Sequence, residues 1–280
     1  MNIKKILLLG IVATLTLGLG ACKKSSDVVE TQNDEVMKDI IVGVCPGPYG
    51  DMFKDAIQPS LEERGYKVTI KEFSDYVQPN KALSKSEIDV NMFQHSIYLK
   101  RFSEDSNLEL SAITEIPTAG MGVFSNKVKS LDEIKDGALV TLPNDPTNLT
   151  RALKVLEASG LIKIDPNADP DLATEKDLSE NNKNLKFKLI EAPQLPRTLD
   201  SADLAVVNGN YAIAAGLNLS DAVYSEKLKT GYINVIAVKT SAVESQLSKD
   251  ILEIVKSNEF KSVIEDPKGQ YISFQKPEKY

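Results

Sequence analysis

From residue 39 onward the chain switches repeatedly between two spacings of apolar residues. Short apolar runs at 39–44, 67–73 and 88–93 have the length and β-branched content of buried strands. Between and after them, apolar residues recur three and four apart over 51–63, in a short stretch after Pro79, and over 96–104, which is the spacing of a helix with one buried face. Pro46-Gly47-Pro48 ends the first strand and Gly65 stops the first helix. A β-α-β-α-β-α order predicts a mostly parallel sheet with helices on its faces.

The pattern restarts after Asn126. Ser130-Leu131-Asp132-Glu133 reads as a capping box on a short helix. A buried strand over 138–142 is followed by a helix over 147–159, closed by Gly160. The polar stretch 165–184 reads as surface loop. Strand 187–191, helix 194–199, strand 204–208 and helix 210–215 complete a second sheet, and a strand over 232–238 and an amphipathic helical region over 247–264 remain. The predicted architecture is α/β with two lobes. Residues 39–124 with 233–280 form one and residues 125–232 the other, and crossover strands near 121–124 and 232–238 act as the hinge. Such a fold opens a cleft at the carboxyl ends of its strands.

Ahead of the body the pattern differs. Met1-Asn2-Ile3-Lys4-Lys5, an apolar run over 6–19 and Leu19-Gly20-Ala21-Cys22 resemble a bacterial lipoprotein signal, with residues 1–21 removed and a lipid on the Cys22 thiol. The competing reading is a transmembrane helix. Spanning takes about 18 to 20 apolar residues, and this run is shorter and interrupted by Thr14, Thr16 and Gly18. Residues 22–38 are polar and free of aromatics, as a flexible tether would be. The protein is therefore expected on the extracytoplasmic face of a membrane, held by its lipid.

Composition narrows the chemistry. The net charge of −7 becomes two units more negative once Lys4 and Lys5 leave with the signal, and no basic stripe interleaves with aromatics, which argues against nucleic acid. Cys45 has no disulfide partner if Cys22 is lipidated. One histidine and one free cysteine cannot build a zinc site, and there is no EF-hand spacing, Walker loop or G-x-G-x-x-G. No metal or cofactor is expected.

The residues that could meet a ligand fall at strand ends. Phe93 and His95 point the same way from an extended segment, Tyr98 follows in the next helix, and Tyr76 occupies the equivalent place one unit earlier. Each alone could be core; together they suggest an aromatic box open to the cleft. Arg151, placed by this reading in the first turn of a helix, opposes the helix dipole unless an anion such as a carboxylate lies beside it; the alternative is a solvated arginine. Asn208 stands at a strand tip. Asn234 interrupts an apolar strand and needs partners for its amide, either neighbouring backbone or a bound amino acid.

Asp75-Tyr76-Val77-Gln78-Pro79-Asn80, Phe93-Gln94-His95, Pro143-Asn144-Asp145-Pro146-Thr147-Asn148, Gln194-Leu195-Pro196-Arg197 and Val207-Asn208-Gly209-Asn210-Tyr211-Ala212 resemble, in order, the motifs of the NlpA/MetQ family of methionine-binding lipoproteins. The likeness runs from Asp39 to the last helix. It implies a type II periplasmic-binding-protein fold that delivers methionine, or a relative such as D-methionine or a Met-containing dipeptide, to the permease and ATPase of an ABC importer, as a monomer. By the same resemblance, Tyr76, Phe93, His95 and Tyr98 form the side-chain pocket, Arg151 holds the ligand carboxylate, and Asn208 and Asn234 bind its polar end. Cys45, Tyr49 and Gly120 depart from the family pattern in the first loop and the hinge, which bears on the ligand more than on the fold. Two rival readings stand beside this one. One is an enzyme pairing the Cys45 thiol with the His95 imidazole, which requires an orienting third group; the other is a surface lipoprotein acting through protein contacts.

Overall fold

Two five-stranded sheets organise the protein in a computed structural model that describes residues 37–280. The leader, Cys22 and the tether as far as residue 36 lie outside the described residues. Lys38, expected at the end of the tether, already pairs with Tyr66 as the first residue of a strand.

The first sheet is laid down by β1 (Lys38–Val44), α1 (Pro48–Ala56), α2 (Gln58–Glu63), β2 (Tyr66–Glu72), α3 (Gln78–Ser84), β3 (Val90–His95), α4 (Ser96–Ser106) and β4 (Leu110–Glu115). Its strand order is β2-β1-β3-β12-β4, where β12 is Asn234–Lys239. The pairs β1–β2 and β1–β3 are parallel, whereas β12 runs antiparallel to both of its neighbours. A sheet buried on both faces needs apolar residues on both, and β3 and most of β12 are buried at successive positions. Val42, Phe53, Met92, Ile236 and Phe260 belong to the core beneath it.

The second sheet follows as β5 (Gly122–Phe124), β6 (Leu139–Pro143), α5 (Pro146–Ala158), the two-stranded excursion β7 (Lys163–Ile164) and β8 (Leu178–Glu180), β9 (Lys186–Ile190), β10 (Leu204–Val207), α6 (Gly209–Ala214) and β11 (Tyr224–Ser225). Its order is β11-β5-β10-β6-β9, with β10–β6 and β6–β9 parallel. Val123, Val140, Leu153 and Val206 centre its core. Two further helices, α7 (Gln246–Val255) and α8 (Asn258–Ile264), pack against the first sheet. This is the α/β architecture with two sheets that the alternation of spacings predicts.

Several expected elements change in detail for identifiable reasons. The helix expected over 51–63 is two helices, because Pro59 lacks the N–H that a continuous helix would use and instead opens α2; Pro48 likewise opens α1, ahead of the expected start at 51. The 130–133 capping box does not form. Ser130 makes no side-chain cap, Glu133 accepts from the Lys129 N–H at 3.1 Å, and the turn is a short 3-10 helix. Residues Ala192–Asp200 are also 3-10, with Pro196 inside. The 247–264 region splits where Ser257 caps α8, its hydroxyl accepting from the Phe260 N–H at 3.1 Å. Part of the expected 165–184 loop is strand β8.

The chain passes between the sheets twice, over residues 116–121 and 226–233, each just ahead of the strand expected to cross. Gly122–Phe124 therefore pairs in the second sheet. The first passage is bonded to the start of β12: the Ile116 N–H donates to the Asn234 carbonyl at 2.9 Å, and the Asn234 N–H to Thr118 Oγ1 at 2.8 Å. Gln275 fastens both passages. Its backbone exchanges two bonds with Thr118 (2.9 and 3.0 Å), and its side-chain amide exchanges two with the Leu228 backbone (2.9 and 2.8 Å). Among the described residues no helix is long and apolar enough to cross a membrane.

Candidate ligand-binding site

β3 ends where α4 begins, and His95 serves both. Its backbone is extended and its Nδ1 accepts the Tyr98 N–H at 3.1 Å, capping α4 with an imidazole. An accepting Nδ1 places the ring proton on Nε2, 3.4 Å from Asn148 Oδ1. Burial, and then the positive charge of Arg151, push the His95 pKa well below its ordinary value, so the ring is neutral. Tyr76, in the loop after β2, stacks on Phe93 with centroids 5.7 Å apart, and Tyr98 meets both rings edge-on at 5.9 and 6.3 Å. Next to Phe93 and His95 in β3, the buried amides of Asn80, Asn91 and Gln94 bond one another at 2.7–2.9 Å. That network fixes β3 while satisfying polar groups that would be costly to bury alone.

The polar wall is built on α5. Asp145 caps it, its carboxylate accepting the Asn148 N–H at 3.0 Å and the Asn148 side-chain amide at 3.0 and 3.1 Å. Asn148 Oδ1 is thereby turned to accept Asn208 Nδ2 at 2.8 Å, from the residue just ahead of α6. Among the described residues, Asn208 Oδ1 is buried and has no hydrogen-bond partner. Because the helix starts at Pro146, Arg151 lies in its second turn and not its first, so the expected clash with the dipole is slight. Its anion is internal: Nε and Nη2 donate to the two carboxylate oxygens of Glu226 at 2.9 and 2.7 Å. Burial opposes the Arg151 charge, and the Glu226 carboxylate more than restores it, leaving the pKa raised. Asn234 donates its side-chain amide to the Phe93 carbonyl at 3.1 Å, so the neighbouring-backbone option is met for that group.

Tyr76, Phe93, His95, Tyr98, Arg151, Asn208 and Asn234 all line one cavity. One end is aromatic; the other carries a guanidinium and carboxamides. Sequence reasoning missed other members of the wall, including Tyr49, Asn148 and Asn210. Asn148 and Asn210 stand inside motifs already singled out, and their amides were the available signal. Glu226 had none, since Ser225-Glu226-Lys227 reads as solvated surface.

The departures from the family pattern all border this site. Tyr49 Oη accepts the Ala119 N–H at 3.2 Å, and burial pushes its pKa up to about 12. Gly120 lies against Glu226. Cys45 packs with Phe93 and Tyr98 and donates its thiol to the Asp75 carbonyl at 3.2 Å. Burial raises the Cys45 pKa well above its ordinary value, and both nitrogens of His95 are engaged elsewhere, so the thiol–imidazole pair is not assembled. Arg197 is exposed and donates to Gln194, and it is not among the residues that line the cavity. Among the described residues no cluster of ligating side chains could hold a metal.

Known proteins share this architecture and much of the sequence. A D-methionine-binding lipoprotein MetQ of Salmonella typhi is 39% identical over 81% of this chain and 85% of its own length. Outer membrane lipoprotein 1 of Mannheimia haemolytica is 36% identical over 97% of both chains. Among solved structures, a Burkholderia cenocepacia nutrient binding protein bound to methionine superposes with a TM-score of 0.77 at 36% identity, covering 81% of this chain and 95% of its own. A putative methionine-binding lipoprotein from Bacillus subtilis gives 0.79 at 33%, covering 86% and 99%. With residues 40–274 matching the NlpA lipoprotein family, the chain belongs to that family.

Proposed function

We propose that the protein is a lipid-anchored, extracytoplasmic substrate-binding protein that captures methionine, or a close relative such as D-methionine or a Met-containing dipeptide, and hands it to the permease and ATPase of an ABC importer. The observation that carries this reading is the buried, unpartnered Asn208 Oδ1 in the wall of a cavity that also presents Arg151. A buried acceptor without a donor costs about 1–3 kcal/mol, and an α-ammonium group would satisfy it. The ligand carboxylate would lie on Arg151, and Asn234 would complete the polar end. The thioether would sit among Tyr76, Phe93, His95 and Tyr98, where sulfur gains from contact with aromatic edges.

In this reading the residues of the first sheet and those of the second are two lobes that close on the ligand, with 116–121 and 226–233 absorbing the motion. The body acts as a monomer. Residues 1–21 are a signal, Cys22 carries the lipid, and the polar segment after it gives reach. The names of the relatives support methionine as the ligand class. Titration calorimetry of the purified body tests this directly, with mass spectrometry of any ligand released on denaturation. Binding of methionine, D-methionine or a Met dipeptide is expected; absence of heat and of released ligand for all three removes the proposal.

A further inference from the structure

Resting on that reading, we propose that Glu226 is a positioning residue for Arg151 and sets the charge class of the ligand, favouring a zwitterionic amino acid over a simple carboxylate. Arg151 and Glu226 are 5% and 6% exposed, so neither charge has water to screen it. Their contact consumes Nε and Nη2 and leaves Nη1 as the nitrogen the pair does not use. Glu226 Oε2 also accepts the Met121 N–H at 2.7 Å. One carboxylate, itself on the return passage between the sheets, thereby holds the cavity arginine to the outgoing passage. The ring of Tyr232 lies 5.2 Å from the guanidinium carbon and limits its freedom further.

The electrostatic consequence follows from the neighbours. A lone buried guanidinium would attract any anion strongly. Paired with Glu226 it adds no net charge to the wall, His95 is neutral, and the Asp145 carboxylate is engaged by Asn148. An anion entering this site loses its hydration without a net field to replace it. A zwitterion brings its own cation and sets it on Asn208 Oδ1. The class selected is therefore an α-amino acid, or a peptide terminus of equal charge balance, with an apolar side chain.

The test is calorimetric binding of methionine and of methylthiobutanoate, the same skeleton without the amine, to the full body and to its Glu226→Gln and Glu226→Asp variants. The intact protein should bind methionine and favour it over the amine-free acid. In Glu226→Gln the freed cation should weaken methionine by about tenfold while methylthiobutanoate holds or gains, so the preference shrinks by about tenfold. Glu226→Asp keeps the charge but cannot span both contacts; affinities for both ligands should fall with the preference preserved. Equal weakening of both ligands in Glu226→Gln, as a merely structural role would give, overturns the inference, and so does no change. Should that variant fail to fold by near-ultraviolet circular dichroism, Glu226→Asp decides, and wild-type methionine affinity there overturns the positioning role. If the intact protein binds neither methionine nor its relatives, the parent reading fails first and takes the inference with it.

Discussion

Asn208 combines a satisfied donor and an orphaned acceptor in one side chain, which makes its substitution informative. Asn208→Ala should cost about 2 kcal/mol of methionine affinity in a calorimetric titration, more than it costs in folding stability, because the acceptor has no partner in the protein to lose. Arg151→Ala is a poorer probe of the ligand carboxylate, since it strands Glu226. A buried charge left without its partner costs about 3–5 kcal/mol in stability, so unfolding and weak binding would be confounded. The double variant Arg151→Met/Glu226→Gln removes both charges; it should stay folded and still lose carboxylate recognition. His95 carries a pH signature. Its folded pKa is depressed well below the ordinary 6.5 or so. Below the unfolded value the denatured chain takes up a proton that the native ring refuses, so stability is lost as pH falls, by up to about 1.4 kcal/mol per unit. His95→Gln should flatten that acid limb in urea denaturation at pH 6.5 and 5. The aromatic and amide positions were legible in the sequence because strand ends and alternation place them. Glu226 was not, because nothing local marks a carboxylate whose partner is 75 residues away.

At the scale of elements, periodicity located most strands and helices but missed β4, β7, β8 and β11, and where it joined helices that are separate, proline or a side-chain cap overrides it. Pro59, Pro196 and Ser257 interrupt apolar spacings that would otherwise run on. The pairing of β12 between β3 and β4 could not be read locally either, since register depends on partners more than a hundred residues distant. Short α6 shows how little helix is needed to join the two halves of the molecule. Asn210 in its first turn accepts the Tyr76 hydroxyl at 2.6 Å and donates to the Pro46 carbonyl at 2.9 Å, while Gly209 fits against Gly120 and Ala119 where a Cβ would come within 2.5 Å of backbone. These contacts hold together segments from opposite sides of the cavity. Tyr76→Phe should leave the aromatic stack intact and remove one such bond, worth about 1 kcal/mol. Stopped-flow dissociation should show a faster off-rate with little change in association.

For the molecule as a whole, the proposed division of labour separates capture from delivery. A form lacking residues 1–22 should match the full protein in calorimetric affinity, because the cavity is built wholly from residues 49–234. It should deliver ligand less well in membrane-vesicle uptake, because tethering raises effective concentration at the importer. Gln275→Ala, which frees Leu228 from its two side-chain bonds without touching the cavity, should lower melting temperature by a few degrees. The insertion of β12 between β3 and β4 has a temporal consequence as well. The first sheet cannot be completed until residues 234–239 are available, although most of its strands are made before residue 116. Its rate of formation is governed by closing a loop of well over a hundred residues. A chain emerging in order thus completes every strand of the second sheet while the first still waits for the one that joins β3 to β4.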